Sequence, residues 1–191
     1  LTAIIISMSA TFFEGYIVFK NLKNKLHAYL FLNCIAMFIS NSGYLLQLLS
    51  KTEDAYIAAL KFSYAGRAWI VFTLFMFAVQ FAHIRIHRVW IRLFILLDVA
   101  VYATIYSLQE HTLYYSKIWF DKTGMFPVLL HRNGIVHKVF MRCQIVAIVF
   151  ILICLIRFVI NHKGKIARKR ALIILGGFFV AATMYVLQIG H

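Results

Sequence analysis

The chain has 191 residues, of which 63% are hydrophobic and 14% are charged, with a single proline. A soluble domain of this size could not bury so much apolar surface, so the composition excludes a soluble globular protein and predicts one integral membrane domain over residues 1–191. The formal net charge of +14 would suggest nucleic-acid binding in a soluble protein. Here the cations lie mostly in short loops between apolar segments, so we expect the lipid bilayer, and not nucleic acid, as the partner.

Six apolar segments are long enough to cross a bilayer, for which about 20 residues are needed. They cover residues 1–19, 26–49, 57–82, 89–108, 139–160 and 171–190. The fold class predicted is an all-α, multi-pass membrane protein with a bundle of six transmembrane helices.

The loop charges predict which side each loop occupies. The first, third and fifth connections, KNLKNK, HIRIHR and NHKGKIARKR, contain no Asp or Glu, whereas the second and fourth carry the acidic residues Glu53, Asp54, Glu110 and Asp121. Because Lys and Arg beside a span stay on the untranslocated side, the odd connections are predicted to be cytoplasmic and the N-terminus outside. Six crossings then leave His191 outside, which predicts that the native protein continues into a seventh helix.

The fourth connection, residues 109–138, is too long for a simple turn. Its first part, HTLYYSKIWFD, is rich in aromatic and β-branched residues, and DKTG separates it from MFPVLLHRNGI. This pattern is typical of a β-hairpin, which would form a lid over the outer face. The same aromatic residues would also suit a belt at headgroup depth, and the two arrangements are compatible.

Polar residues gather in the outer halves of the predicted spans. A charge near the bilayer centre costs about 2.5 to 3.5 kcal/mol, so Arg67 and Asp98 are expected inside the bundle, as a structural salt bridge or as part of a ligand site. With Lys61 and Arg142 added, positive charge exceeds negative charge, which favours an anionic or carboxylate-bearing ligand. The candidate ligand-binding residues within the spans are Lys61, Tyr64, Arg67, Asp98, Tyr102, Tyr106, Arg142 and Tyr185. Tyr114 of the predicted lid joins them.

No catalytic set is recognisable in the chain. The sequence has no HExxH, no GxSxG and no phosphate-binding loop. His83 and His87 have the spacing of a metal-ligand pair, but they stand beside Arg85 and Arg88 at headgroup depth, where a solvated histidine is much commoner. We therefore predict no enzyme activity, no metal site and no cofactor.

Three stretches resemble a known family. The third span, LKFSYAGRAWIVFTLFMFAVQF, the segment YSLQEHTLYYSKIWF and the start of the fifth span, GIVHKVF, are similar to the seven-transmembrane N-terminal sensor domain of bacterial histidine kinases and diguanylate cyclases. The resemblance adds His111 to the candidate ligand residues. Arg67 does not fit the resemblance, because the family is expected to have an uncharged residue after the glycine.

The resemblance implies a sensor in the bacterial cell membrane, which passes an extracellular or membrane-dissolved signal to a cytoplasmic kinase or cyclase. A homodimer formed through that output domain is also implied. The alternative function is a small transporter or channel subunit, although the chain has no internal repeat and its only proline, Pro127, lies in a loop. A retinal protein or a helical scaffold without a ligand are further alternatives.

Overall fold

The computed structural model describes residues 1–161, 164, 166, 168, 169 and 171–179. Five of its helices are long and apolar enough to cross a membrane. These are α1 (Thr2–Lys20), α2 (Lys25–Leu49), α3 (Glu53–Phe81), α4 (Arg88–Tyr106) and α5 (Ile135–Asn161). Two strands, β1 (Tyr115–Asp121) and β2 (Val128–Asn133), lie between α4 and α5. The first five predicted spans are therefore confirmed; residues 171–179 of the predicted sixth span are helical, and its remainder lies outside the described residues.

Two helices begin four residues earlier than predicted. The third begins at Glu53 rather than 57, because Thr52 caps it by accepting a 3.3 Å hydrogen bond from the backbone N–H of Ala55. Glu53 and Asp54 lie in its first turn, where acidic side chains interact favourably with the helix dipole. The fifth begins at Ile135 rather than 139, directly after the second strand.

The third helix is the centre of the bundle. Over the most apolar window of each helix, 56% of the residues of α3 are buried inside the protein but only 11% of those of α1. The α3 helix contacts α2, α4 and α5, whereas α1 packs on α2. More than half of the side chains in that window of α3 therefore face the interior of the bundle.

Close contact between α2 and α3 depends on two glycines. A Cβ atom at Gly66 would collide with the carbonyl oxygen of Ala36, and one at Gly43 would collide with the backbone of Ser63. Small residues let helix backbones approach in a membrane, where packing and hydrogen bonds drive association. The rotation of α3 about its own axis is thereby set by α2.

The predicted hairpin is present, with β1 and β2 paired antiparallel from Asp121 and Val128 at the turn to Tyr115 and Asn133 at the base. Its base is joined to α5, since the Gly134 N–H donates to the Tyr114 carbonyl at 2.8 Å. The aromatic residues of this region divide between two environments: Tyr114 and Tyr115 are buried, while Trp119 is exposed. A headgroup belt therefore does not describe the two tyrosines, and a lid function for the hairpin stays a prediction.

Candidate functional site

A cavity of about 510 Å³ lies between the hairpin and the adjoining parts of α3 and α5. We call it the hairpin cavity. The described residues that line it are Tyr64, Arg67, Tyr114, Tyr115, Val128, Leu129, Leu130, His131, Asn133, His137, Phe140, Met141 and Gln144. Its volume is within the range of small-molecule sites, which are about 300 to 1,000 Å³.

Three tyrosine hydroxyls meet at one wall of the cavity. The Tyr114 hydroxyl donates a 2.9 Å hydrogen bond to that of Tyr64, and the hydroxyls of Tyr64 and Tyr115 are 3.3 Å apart. All three side chains are buried. Burial raises the pKa of Tyr114 and of Tyr115 above the ordinary value, so both hydroxyls stay protonated at neutral pH. The wall is therefore neutral and able to donate and accept hydrogen bonds.

Arg67 supplies the positive charge of the cavity. It lies one helical turn after Tyr64, and its guanidinium carbon is 5.4 Å from the centroid of the Tyr64 ring. The side chain is exposed, because it borders the open cavity. No Asp or Glu occurs among the described lining residues, so the permanently charged guanidinium has no carboxylate beside it in this wall.

Two histidines also belong to the polar lining. The ring centroid of His131 lies 4.0 Å from that of Tyr115, and the ring of His137 lies 5.0 Å from that of Tyr114. Within the described part of the chain, the buried Nδ1 atom of His137 has no hydrogen-bond partner. Together the guanidinium, the hydroxyls and the imidazoles form a set of hydrogen-bond donors suited to a carboxylate or another small anion.

The structure brings together Tyr64, Arg67 and Tyr114 of the predicted site residues. Others lie on different surfaces. Lys61 and Tyr106 form a separate pair, with the Lys61 ammonium 5.4 Å from the ring centroid, and Tyr102 adjoins it with its ring 6.4 Å from that of Tyr106.

The remaining predicted positions are outside the described lining of the cavity. His111 is half-buried, and its Nε2 atom is hydrogen-bonded to the Ser107 hydroxyl at 2.9 Å. Arg142 is exposed on α5. Tyr185 lies outside the described residues.

The expected pairing of Arg67 with Asp98 is wrong. Asp98 is fully buried, with 0% of its surface exposed, and neither carboxylate oxygen has a hydrogen-bond partner among the residues described. It shares the buried face of α4 with Val101 and Ile105 and does not line the cavity. Arg67 points instead to the tyrosines, because its position on α3 faces the hairpin and α5.

The sequence interpretation missed His131, Asn133 and His137 as site residues. A period of two in the second strand was only a partial signal: Leu129, His131 and Asn133 alternate and line the cavity, but Val128 and Leu130 line it as well. The strand's register against β1, which pairs Tyr115 with Asn133, then places them beside the tyrosines.

Comparison with known proteins gives one family and no individual relative. Residues 3–191, almost the whole chain, match the family described as the N-terminal 7TM region of histidine kinase. Neither the curated proteins nor the solved structures contain a significant match.

Proposed function

Because the chain belongs to the family of N-terminal 7TM regions of histidine kinases, we propose that it is a sensory input domain whose hairpin cavity binds a small carboxylate-bearing ligand. The family makes the chain a multi-pass membrane region that serves signal transduction and is itself non-catalytic. The proposal adds the ligand class, the binding residues and a location in the bacterial cytoplasmic membrane, with the hairpin outside the cell.

The observation that carries the proposal is Arg67 in a wall of hydroxyls and imidazoles. A guanidinium can bind a carboxylate through two parallel hydrogen bonds, which gives both affinity and orientation. The Tyr64, Tyr114 and Tyr115 hydroxyls, and the imidazole of His137, lie around the same space. The apolar remainder of the lining, such as Leu129 and Phe140, would contact the hydrocarbon part of the ligand.

The position of the cavity also supports a route for the signal. It lies between α3 and α5, and the same two helices meet again further along the bundle through Ala78, Ile151 and Leu155. From Arg67 to Ala78 the α3 helix extends about 16 Å at 1.5 Å per residue. The partly buried residues Ile174 and Leu175 pack against that second contact. A ligand that favours one spacing of α3 and α5 would thus change the packing of the helix that follows α5.

The test is a thermal-stability screen of the purified protein in detergent. Carboxylates of different size and hydrophobicity are each compared with the corresponding primary amide, which keeps the shape but lacks the charge. We expect at least one carboxylate to raise the unfolding midpoint when its amide does not. For that compound, Arg67→Met should weaken binding by about tenfold or more, since hydrogen bonds to a charged group contribute about 1.5 to 3 kcal/mol.

Arg142→Met is the matched control, because Arg142 is an exposed arginine outside the described lining of the cavity. It removes the same charge from the same membrane half and should leave the affinity unchanged. Equal stabilisation by carboxylates and amides, or equal effects of the two arginine variants, would refute the anionic site.

A further inference from the structure

A second cavity lies at the other end of the bundle and is separate from the ligand site proposed above. It has a volume of about 620 Å³ and is bounded by α4, α5, Phe75 of α3 and the segment that joins α3 to α4. We call it the α4–α5 groove. None of its described lining residues also lines the hairpin cavity.

The lining changes in character along the groove. Most of the wall is apolar and is formed by Phe94 and Leu97 of α4 and by Val146 and Phe150 of α5. At one end the wall is formed by the segment 84–87, which contributes Arg85 and His87. A cavity that is basic at its mouth and apolar along its depth matches a molecule with an anionic head and a hydrocarbon chain.

The groove is open to the side. Trp90 is 67% exposed and Val146 is 69% exposed, although both line it. From Trp90 to Leu97 the α4 wall extends about 10 Å at 1.5 Å per residue. One leaflet of the hydrocarbon core is about 15 Å deep, half of a core of about 30 Å, so the groove runs along much of one leaflet. It therefore has the length and the opening that an acyl chain of the bilayer requires.

A turn at the end of α3 places the basic segment at the mouth. His83 has a left-handed backbone with φ of 54°, and the Ile84 N–H donates to the Val79 carbonyl at 3.0 Å. This hydrogen bond and the left-handed residue before it are typical of a Schellman motif, in which glycine usually occupies the left-handed position. The chain then reverses, His87 becomes the N-cap of α4, and the first turn of that helix lies at the mouth. The positive end of a helix dipole favours a phosphate, although here His87 Nδ1 already accepts from the Val89 N–H at 3.4 Å.

The positive charge at the mouth of the groove is not balanced by any acidic residue in the same segment. Residues 83–92 contain Arg85, Arg88 and Arg92 and no Asp or Glu. Basic sites between transmembrane helices at headgroup depth bind anionic lipid heads. We propose that the α4–α5 groove binds one anionic phospholipid, with an acyl chain between α4 and α5 and its phosphate beside Arg85 and the first turn of α4.

The proposal is tested by native mass spectrometry of the full-length protein with dioleoylphosphatidylglycerol, which is anionic, and dioleoylphosphatidylcholine, which has the same acyl chains and no net charge. The wild-type protein should bind the first phosphatidylglycerol about fivefold or more tightly than phosphatidylcholine, the contribution of about one basic residue. Arg85→Gln should abolish that preference. Lys23→Gln, in the exposed connection between α1 and α2, should retain it.

A second pair of variants tests the acyl chain. Val146→Trp would fill the groove, and Val149→Trp, also exposed on α5, does not lie in its described lining. The first should weaken binding of both lipids several-fold, and the second should not. Equal lipid preference in Arg85→Gln and Lys23→Gln would overturn the proposal, as would equal effects of the two tryptophans. A change in oligomeric state with Val146→Trp and no change in lipid binding would also overturn it, because a second copy would then cover the groove.

Discussion

The Tyr114 hydroxyl donates a 2.9 Å hydrogen bond to the Tyr64 hydroxyl and so joins the hairpin region to the central helix of the bundle. The two rings also pack edge to face, with centroids 5.5 Å apart. Tyr114 has no exposed surface. The position of the hairpin over the hairpin cavity therefore depends on α3.

Tyr114→Phe tests this connection, because it removes the hydroxyl and keeps the ring. We expect a loss of about 0.5 to 1.5 kcal/mol in the free energy of unfolding, the net contribution of one hydrogen bond. Backbone amides of β1 should exchange faster, as measured by hydrogen–deuterium exchange. In a double-mutant cycle with Tyr64→Phe the two effects should not add, since both changes remove the same bond. Additive effects would mean that the hydrogen bond does not stabilise the hairpin.

Gly66→Ala tests the close packing of α2 and α3. The new Cβ would meet the Ala36 carbonyl oxygen and the Ser40 backbone nitrogen. Overpacking of this kind costs about 1 to 3 kcal/mol or more, so the thermal unfolding midpoint in detergent should fall clearly. Gly176→Ala is the control, because no atom of the described residues lies within 4 Å of a Cβ at that helical position. That variant should leave the midpoint unchanged or raise it slightly.

Asp98→Asn tests whether the buried carboxyl group is a source of instability. The carboxyl group has no hydrogen-bond partner among the described residues, so no such bond offsets the free-energy cost of burying it. Asn keeps the shape of the side chain but cannot ionise, so the change relieves part of the cost of about 2.5 to 3.5 kcal/mol for an Asp in the middle of a span, and the unfolding midpoint should rise. Asp54→Asn, exposed in the first turn of α3, should change stability by no more than about 0.5 kcal/mol. A lower midpoint for Asp98→Asn would show that this carboxylate has a charged partner in the working protein.

The hairpin turn should respond to acid. Hydrogen bonds from the backbone N–H of Thr123 and from its hydroxyl, each 2.8 Å to Asp121 Oδ1, lower the pKa of Asp121 below its ordinary value. A depressed folded-state pKa means that the ionised carboxylate stabilises the turn above the unfolded pKa of about 3.9, and that this contribution is lost as the pH falls through the lower, folded value.

The measurement is a titration of the Asp121 carboxyl carbon by nuclear magnetic resonance. Its midpoint should lie below about 3.9 in the wild-type protein. In Thr123→Ala, which lacks the hydroxyl donor but keeps the N–H, the midpoint should move upward without reaching the ordinary value. A wild-type midpoint at or above 3.9 would contradict the turn geometry.

Much of the architecture could be predicted because membrane helices are encoded by continuous runs of apolar residues. The five confirmed spans needed only the length of each run and the polar residues that separate it from the next. The errors were at the starts of helices. Thr52 caps α3 with a hydrogen bond and so begins the helix before its apolar run, and a hydropathy pattern contains no information on such a bond. The hairpin was predictable as well, from β-branched and aromatic residues on either side of DKTG.

The site was only partly predictable, since it depends on how each helix is rotated. Tyr64 and Arg67 were recognised because a turn of helix separates them, and Tyr114 because it begins an aromatic segment. The pairing of Arg67 with Asp98 assumed that two charges in neighbouring spans face each other. In the structure Asp98 shares the face of Val101 and Ile105, while Arg67 faces the hairpin and α5.

The sequence by itself determined that the chain is a multi-pass membrane protein, where its first five spans lie and that a hairpin joins the last two of them, because these features depend on local composition. The tertiary structure alone decided that Arg67 shares a cavity with three tyrosines and two histidines and that Asp98 has no hydrogen-bond partner among the described residues. The physical reason is that Gly43 and Gly66 bring α2 and α3 into backbone contact. That contact sets the rotation of the central helix and hence the side chains that share a cavity.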